Sequence, residues 1–235
     1  MKESFIKMDR LVGKPDLASK KALDLNPETL KELGIDEVIQ NLEVSMEDDC
    51  KTYQIRADLE EVPLELIEGI LNLSETNNVQ IRNSKVSYSE KICNRINTSY
   101  PITFIYDIRS CNSELLKFWE PNAPSFEERL ESLKIVNSKG FRTIVFCSYP
   151  LDGDTFELAE ALSPHCDHLI VEITKKLDEF LFESELTDPI KVQKAEEVLK
   201  IQTGDWLLNL GKKLKDNPTV WWDDHTREFL DSKIG

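Results

Sequence analysis

The chain has 235 residues with a formal net charge of −15, because 44 acidic residues stand against 29 basic ones. A surface with this charge repels phosphate backbones, so general nucleic-acid binding is not expected. Hydrophobic residues make up 40% of the chain, which argues against disorder. No apolar run approaches the roughly 20 residues of a membrane helix, and the opening MKESFIKMDR lacks an apolar signal core. We therefore expect no membrane association and a cytoplasmic location.

The first hundred residues predict two regions. Residues 1–25 are polar and contain the turn sequence Gly13-Lys14-Pro15, which is typical of a flexible arm. Residues 26–100 predict a mixed α/β region. Its elements are a helix at 26–44, a strand at 52–56, a helix at 63–73, and a bent strand or hairpin at 79–88.

Residues 102–174 alternate strands with helices. Short β-branched and aromatic runs at 102–108, 141–147 and 168–173 predict three buried parallel strands. Between the first two runs, Ser125 and Glu128 form a capping box at a helix start, and Gly140 suits the left-handed position after that helix. A second helix begins near Thr155 and stops before Pro164. This alternation predicts right-handed βαβ crossovers and an α/β fold.

The last sixty residues continue the helical pattern. Helices are predicted at 177–186, 189–201 and 205–214, followed by a short strand at 220–222 and a helical turn at 225–230. In the second of these helices, Ile190, Ala195 and Val198 are expected to face inward.

Several side chains at predicted strand ends are candidate site residues. Asp107 and Arg109 follow the first core strand, where barrel enzymes place functional groups, although an ordinary loop ion pair also explains them. Glu172 within a strand marks either a site or a solvent-facing edge. Cys147 is either a reactive thiol or a small core residue.

Other candidates favour structural explanations. His165, Cys166 and His168 suggest a metal site, but the two histidines point to opposite faces of a strand. Trp221 and Trp222 suit core packing better than base stacking. The five cysteines contain no CxxC pair, which predicts reduced thiols.

One segment resembles a known family. Residues 119–130 read W-E-P-N-A-P-S-F-E-E-R-L, which is similar to the W-E-P-x-A-P-x-x-E-E-R-L segment of radical S-adenosylmethionine proteins of the spore photoproduct lyase type. The residues that match are Trp119, Glu120, Pro121, Ala123, Pro124, Glu127, Glu128, Arg129 and Leu130. The likeness continues through Gly140–Thr143, Thr203–Trp206 and Leu214–Pro218, and covers about residues 100–235.

The resemblance implies a fold and a chemistry. It implies that residues 101–235 form a partial TIM-like (β/α) barrel with parallel strands, preceded by the mixed region. Family members hold a [4Fe–4S] cluster through a CxxxCxxC loop, and the cluster reduces S-adenosylmethionine to generate a radical. Both cofactors are thus implied by the resemblance.

The chain departs from the family pattern in three respects. It contains no CxxxCxxC loop. Tyr149 stands before Pro150 where the family carries a glutamate, so a carboxylate that faces the cofactor is replaced by a phenol. About a hundred residues precede the first core strand, which leads us to expect that four strand-helix units do not fit there.

These observations lead to two hypotheses. The first is a divergent or truncated radical S-adenosylmethionine-like protein, related to DNA repair lyases, without an autonomous iron–sulfur cluster. The second is a non-catalytic binding or assembly protein on the same half barrel, with a protein partner at an open sheet edge.

Overall fold

A computed structural model of the chain describes residues 5–6, 22–25, 35–37, 39–40, 52–56, 62–73, 78–82, 85–148, 155–172, 188–201, 204–222 and 224–234. The chain divides into two compact units. Unit 1 comprises Met1–Tyr106 and Glu131–Thr143, and unit 2 comprises Asp107–Leu130 and Ile144–Gly235.

Strands and helices alternate through most of the chain. The strands are β1 (Phe5–Ile6), β2 (Ala22–Leu25), β3 (Thr52–Arg56), β4 (Asn78–Arg82), β5 (Ile102–Asp107), β6 (Arg142–Ser148), β7 (His168–Glu172) and β8 (Val220–Trp222). The helices are α1 (Leu64–Leu73), α2 (Val86–Arg95), α3 (Ser113–Trp119), α4 (Phe126–Ser138), α5 (Thr155–Leu162), α6 (Pro189–Ile201), α7 (Gly204–Leu214) and α8 (Asp224–Ile234).

Unit 1 contains a mostly parallel sheet whose strand order follows the chain. β1 pairs with β2 in antiparallel fashion, whereas β2, β3, β4 and β5 pair in parallel. Helix α1 connects β3 to β4, and α2 connects β4 to β5. Apolar residues of both helices and of the last two strands are buried, among them Leu66, Ile67, Ile92, Ile81 and Phe104. The unit is therefore built from βαβ crossovers around an aliphatic core.

Unit 2 contains a second set of parallel strands. β6 pairs with β7 and β7 with β8, with Val145 opposite Leu169 and Leu169 opposite Val220. Helix α5 connects β6 to β7, while α6 and α7 lie between β7 and β8 in the chain. The predicted α/β class with parallel strands is confirmed in both units.

Local sequence signals placed the central elements within one or two residues. The three core strands are β5, β6 and β7, and the capping box is confirmed: Ser125 N donates to Glu128 Oε2 at 2.9 Å, and Glu128 N donates to Ser125 Oγ at 3.2 Å. Gly140 has a φ of 84°. The helices predicted at 63–73, 189–201 and 205–214 are also present.

Four strands of two to five residues precede residue 102, and β1 is antiparallel to β2, so they do not make four parallel strand-helix units of usual length. Three other expectations were wrong. The strand or hairpin at 79–88 ends at Arg82, and α2 follows, because Tyr88, Ser89 and Ile92 are buried at helical spacing. The final turn is an 11-residue helix, α8. Ile190 is 62% exposed and does not face inward.

Other expectations fall largely on residues outside those described. The helix at 177–186 lies wholly outside them, and of the helix at 26–44 only residues 35–37 and 39–40 are described, both as helical. Two short strands lie within residues 1–25, and the flexible arm stays a prediction. Within the described part of the chain, no helix is both long enough and apolar enough to cross a membrane.

Replacing Gly140 with alanine is expected to lower the free energy of unfolding by about 1 kcal/mol, since a Cβ disfavours the left-handed conformation. An added Cβ meets no atom within 4 Å, so the effect comes from the backbone alone. Urea denaturation measures the loss. Gly140→Asn is the matched control, because asparagine tolerates this conformation better than alanine does. Equal stability of the wild type and Gly140→Ala would contradict the assignment.

Candidate functional site

The carboxyl end of β5 carries the first two predicted site residues, Asp107 and Arg109. Ile108 between them is buried, and its backbone N–H donates to the carbonyl of Phe146 in β6 at 2.9 Å. This bond fixes the chain where the strand ends. Asp107 and Arg109 are both partly exposed, as expected for groups at the rim of a parallel sheet.

Arg129, in the first turns of α4, is the most buried charged side chain near this strand end, with 4% side-chain exposure. Its Nε donates to the Pro124 carbonyl at 2.9 Å, and Nη1 donates to the Asp107 carbonyl at 2.6 Å. Its Nη2 donates to the Glu120 carboxylate in a short charge-assisted bond. We call these four residues the Arg129 brace. The brace ties the loop after β5 to the start of α4.

Glu120 also faces Arg109. The second carboxylate oxygen of Glu120 lies 3.8 Å from Arg109 Nε, which is an ion-pair distance but too long for a hydrogen bond. Among the described residues, Arg109 Nε is buried and finds no hydrogen-bond acceptor. Because Glu120 is already bonded to Arg129, Arg109 keeps an unused donor at the end of β5.

The segment that carries the family resemblance is held by its own polar contacts. Asn112 caps α3, its Oδ1 accepting from Glu114 N at 3.0 Å and from Leu115 N at 3.1 Å. Ser113 Oγ donates to Glu127 Oε2 at 2.7 Å, and this bond lowers the pKa of the Glu127 carboxyl. The Trp119 carbonyl accepts from Lys191 Nζ at 3.0 Å. Much of the motif thus has a structural role.

Two of the other predicted site residues lie at or near the carboxyl ends of β6 and β7. Cys147 is buried near the end of β6, and Glu172 is the last residue of β7, where it aligns with Ser148. Tyr149 lies outside the described residues. The structure therefore places Asp107, Arg109, Cys147 and Glu172 at or near carboxyl ends of strands. Among the described side chains, the ion-pair partner of Arg109 is Glu120.

The described cysteines do not fit a [4Fe–4S] cluster, which requires three neighbouring thiolates. Within the described residues, no group of three or more metal-binding side chains is assembled. Cys93 lies in unit 1, whereas Cys111, Cys147 and Cys166 lie in unit 2. Burial raises the pKa of Cys93 to about 11 and that of Cys166 to about 12, so both are protonated thiols near neutral pH.

The aromatic and histidine candidates have structural partners. The His168 ring packs against Trp221 with ring centroids 4.7 Å apart. His165 lies in a short 3-10 turn, Ser163–His165, that follows α5. Trp221 and Trp222 are half-buried in β8, as expected for packing residues.

Unit 1 contains a buried polar network. Ser132 Oγ is hydrogen-bonded to Ser89 Oγ at 2.7 Å and to the Tyr106 hydroxyl at 3.0 Å. Burial raises the pKa of Tyr106. The three hydroxyls satisfy one another, so the network is explained by packing of α2, α4 and β5 without a ligand.

Sequence reasoning missed the ion pairs of Glu120 and the unused hydroxyl of Thr155. Glu120 and Arg129 were identified only as matches to a motif. A glutamate and an arginine on either side of Pro121 and Pro124 are a signal that could have suggested an ion pair across this loop. No sequence signal marks the Thr155 hydroxyl, because its lack of a partner depends on the residues packed around it.

No protein-family model matches this chain, and no curated protein matches its sequence.

Proposed function

We propose that this chain is a radical S-adenosylmethionine-like protein that works as a ligand-binding protein and holds no iron–sulfur cluster of its own. The observation that carries this proposal is Arg109. It lies at the carboxyl end of β5 beside the Arg129 brace, and its buried Nε has no acceptor among the described residues. A bound ligand would supply the missing acceptor.

The position of this donor supports the proposal. In α/β proteins with parallel strands, ligands bind beyond the carboxyl ends of the strands. Arg109 and the brace lie at such an end, and the brace holds the surrounding loop in place. Within the α/β class, we propose that residues 101–235 form a partial TIM-like barrel, on the basis of the parallel strands and the family resemblance.

The main alternative is the enzyme hypothesis, in which a partner chain supplies the iron–sulfur cluster and this chain contributes to S-adenosylmethionine binding. The W-E-P-x-A-P-x-x-E-E-R-L segment favours it. Against it, the hydrogen bonds of the motif residues Glu120, Glu128 and Arg129 are structural. The described cysteines are also unsuited to the cluster.

Anaerobic reconstitution with iron and sulfide tests this choice. We expect a colourless protein, since the described thiols are not grouped. The visible absorbance spectrum provides the measurement. A brown protein with iron–sulfur absorbance would overturn the proposal. A radical S-adenosylmethionine enzyme treated in parallel shows that the reconstitution works.

We also propose a protein partner at an exposed strand edge, with β8 as the site of contact. β8 ends the strand order, and it is three residues long and half-buried. Such an edge offers backbone donors and acceptors to an added strand. Light scattering that finds only monomers, together with no partner recovered by crosslinking, would count against this part of the proposal. We also propose that the protein is cytoplasmic.

A further inference from the structure

Thr155, the first residue of α5, has a buried hydroxyl without a hydrogen-bond partner in the described part of the chain. The residue is 1% exposed, and Oγ1 is buried. A hydroxyl that is removed from water and left unbonded destabilises a folded protein, so native structures rarely keep one. Such an exception is expected where a bound ligand completes the hydrogen bond.

Arg109 Nε is a second buried donor without an acceptor among the residues described for unit 2. Both donors belong to unit 2. Arg109 comes directly after β5, and Thr155 comes after β6. The bond from Ile108 N to the Phe146 carbonyl joins the chain at the end of β5 to β6. Two unused donors thus lie in unit 2, one next to the residue that bonds to β6 and the other after β6 in the chain.

The chemistry of the donors indicates the chemistry of the ligand. A guanidinium carries only donors, so its missing partner must be an acceptor. Thr155 also begins α5, where the free backbone N–H groups of a helix favour negative charge. Glu120 does not satisfy Arg109, because its carboxylate is bonded to Arg129 and lies 3.8 Å from Arg109 Nε.

We propose that unit 2 binds a small molecule bearing a carboxylate or phosphate group beyond the carboxyl end of β6, held by Arg109 and by the Thr155 hydroxyl. This inference rests on the proposed function, since it names the ligand class of the same site. The Arg129 brace positions the loop that carries Arg109 and takes no part in binding the ligand.

Isothermal titration of the full chain with inorganic phosphate and, separately, with succinate tests the inference. We expect saturable binding of at least one anion by the wild type. Arg109→Gln is expected to weaken it at least tenfold, because a charge-assisted hydrogen bond is lost. Thr155→Val is expected to weaken it about fivefold, in line with one neutral hydrogen bond. Thr155→Ser, which keeps the hydroxyl, is expected to restore most of the affinity.

Arg95 provides a matched control in unit 1. It is exposed, and each nitrogen of its guanidinium donates a hydrogen bond: Nε and Nη2 to Glu68 and Nη1 to Glu65, at 2.7–2.8 Å. Arg95→Gln makes the same change of charge away from the strand ends and is expected to leave the affinity within about twofold. Circular dichroism shows whether each variant is folded.

Three results would overturn the inference. The first is the absence of saturable binding of both anions at roughly 10 mM. The second is an equal loss of affinity in Arg95→Gln and Arg109→Gln, which would indicate a general charge effect. The third is an unchanged affinity in Thr155→Val. Selective binding of phosphate or of succinate identifies which group the site takes. Each of these results is distinct from cluster formation, which alone would overturn the proposed function.

Discussion

Replacing Arg129 with methionine is expected to lower the free energy of unfolding by roughly 3 kcal/mol, the largest loss that we expect from a single substitution near the site. Methionine fills a similar volume but donates no hydrogen bonds. The change leaves the Glu120 carboxylate without its closest cation, and it leaves the Asp107 and Pro124 carbonyls without their donor. Glu120 is 25% exposed, so water recovers part of the loss. Urea denaturation followed by circular dichroism measures the effect.

Two variants separate the ion pair from the loss of a long side chain. Lys212→Met removes an exposed cation on α7 and is expected to change stability by less than about 1 kcal/mol. Glu120→Gln keeps an acceptor for Arg129 and is expected to cost less than Arg129→Met. A double-mutant cycle of Glu120→Gln with Arg129→Met then measures the coupling between the two side chains. If Arg129→Met were as stable as Lys212→Met, the brace would have no structural role.

The sequence predicted the elements whose signals are local. The capping box of Ser125 and Glu128 and the left-handed Gly140 depend on residues within four positions of one another, so they were found from the sequence. β5, β6 and β7 were found because buried parallel strands form short apolar runs. In contrast, β1, β2 and β4 have two to five residues and were missed or merged with a neighbour. A very short strand forms because it pairs with residues that are distant in the sequence, and a local sequence pattern does not show this pairing.

The candidate site was predictable in its position but not in its contacts. Asp107 and Arg109 were identified because functional side chains collect at the carboxyl ends of parallel strands. The bond from Arg129 to the Asp107 carbonyl joins residues 22 positions apart, and no spacing rule predicts it. The unused donor of Arg109 follows from this bond network, because Arg129 has already taken the nearest carboxylate. Such features depend on the folded arrangement of several elements.

Cys166 is expected to react with iodoacetamide at pH 8 at least about 1000-fold more slowly in the folded protein than in urea. Burial, and then the neighbouring Asp167 carboxylate, raises the pKa of this thiol to about 12. The thiolate is the reactive form, and an unfolded cysteine has a pKa of about 8.5. The folded protein therefore presents far less thiolate at this pH. Mass spectrometry of peptides after timed alkylation measures the rate.

The same shift predicts how stability depends on pH. Between about pH 8.5 and 12 the unfolded chain releases the Cys166 proton while the folded protein keeps it, so this contribution to stability is complete below pH 8.5 and falls as pH rises. Cys111 is only partly buried and serves as an internal reference for reagent access. Equal alkylation rates of Cys166 in the folded and unfolded protein would show that it is an accessible thiolate. That result would weaken the case against metal binding by this residue, because its burial and protonation are one of the two reasons why the described cysteines do not suit a cluster, beside the lack of three grouped thiols.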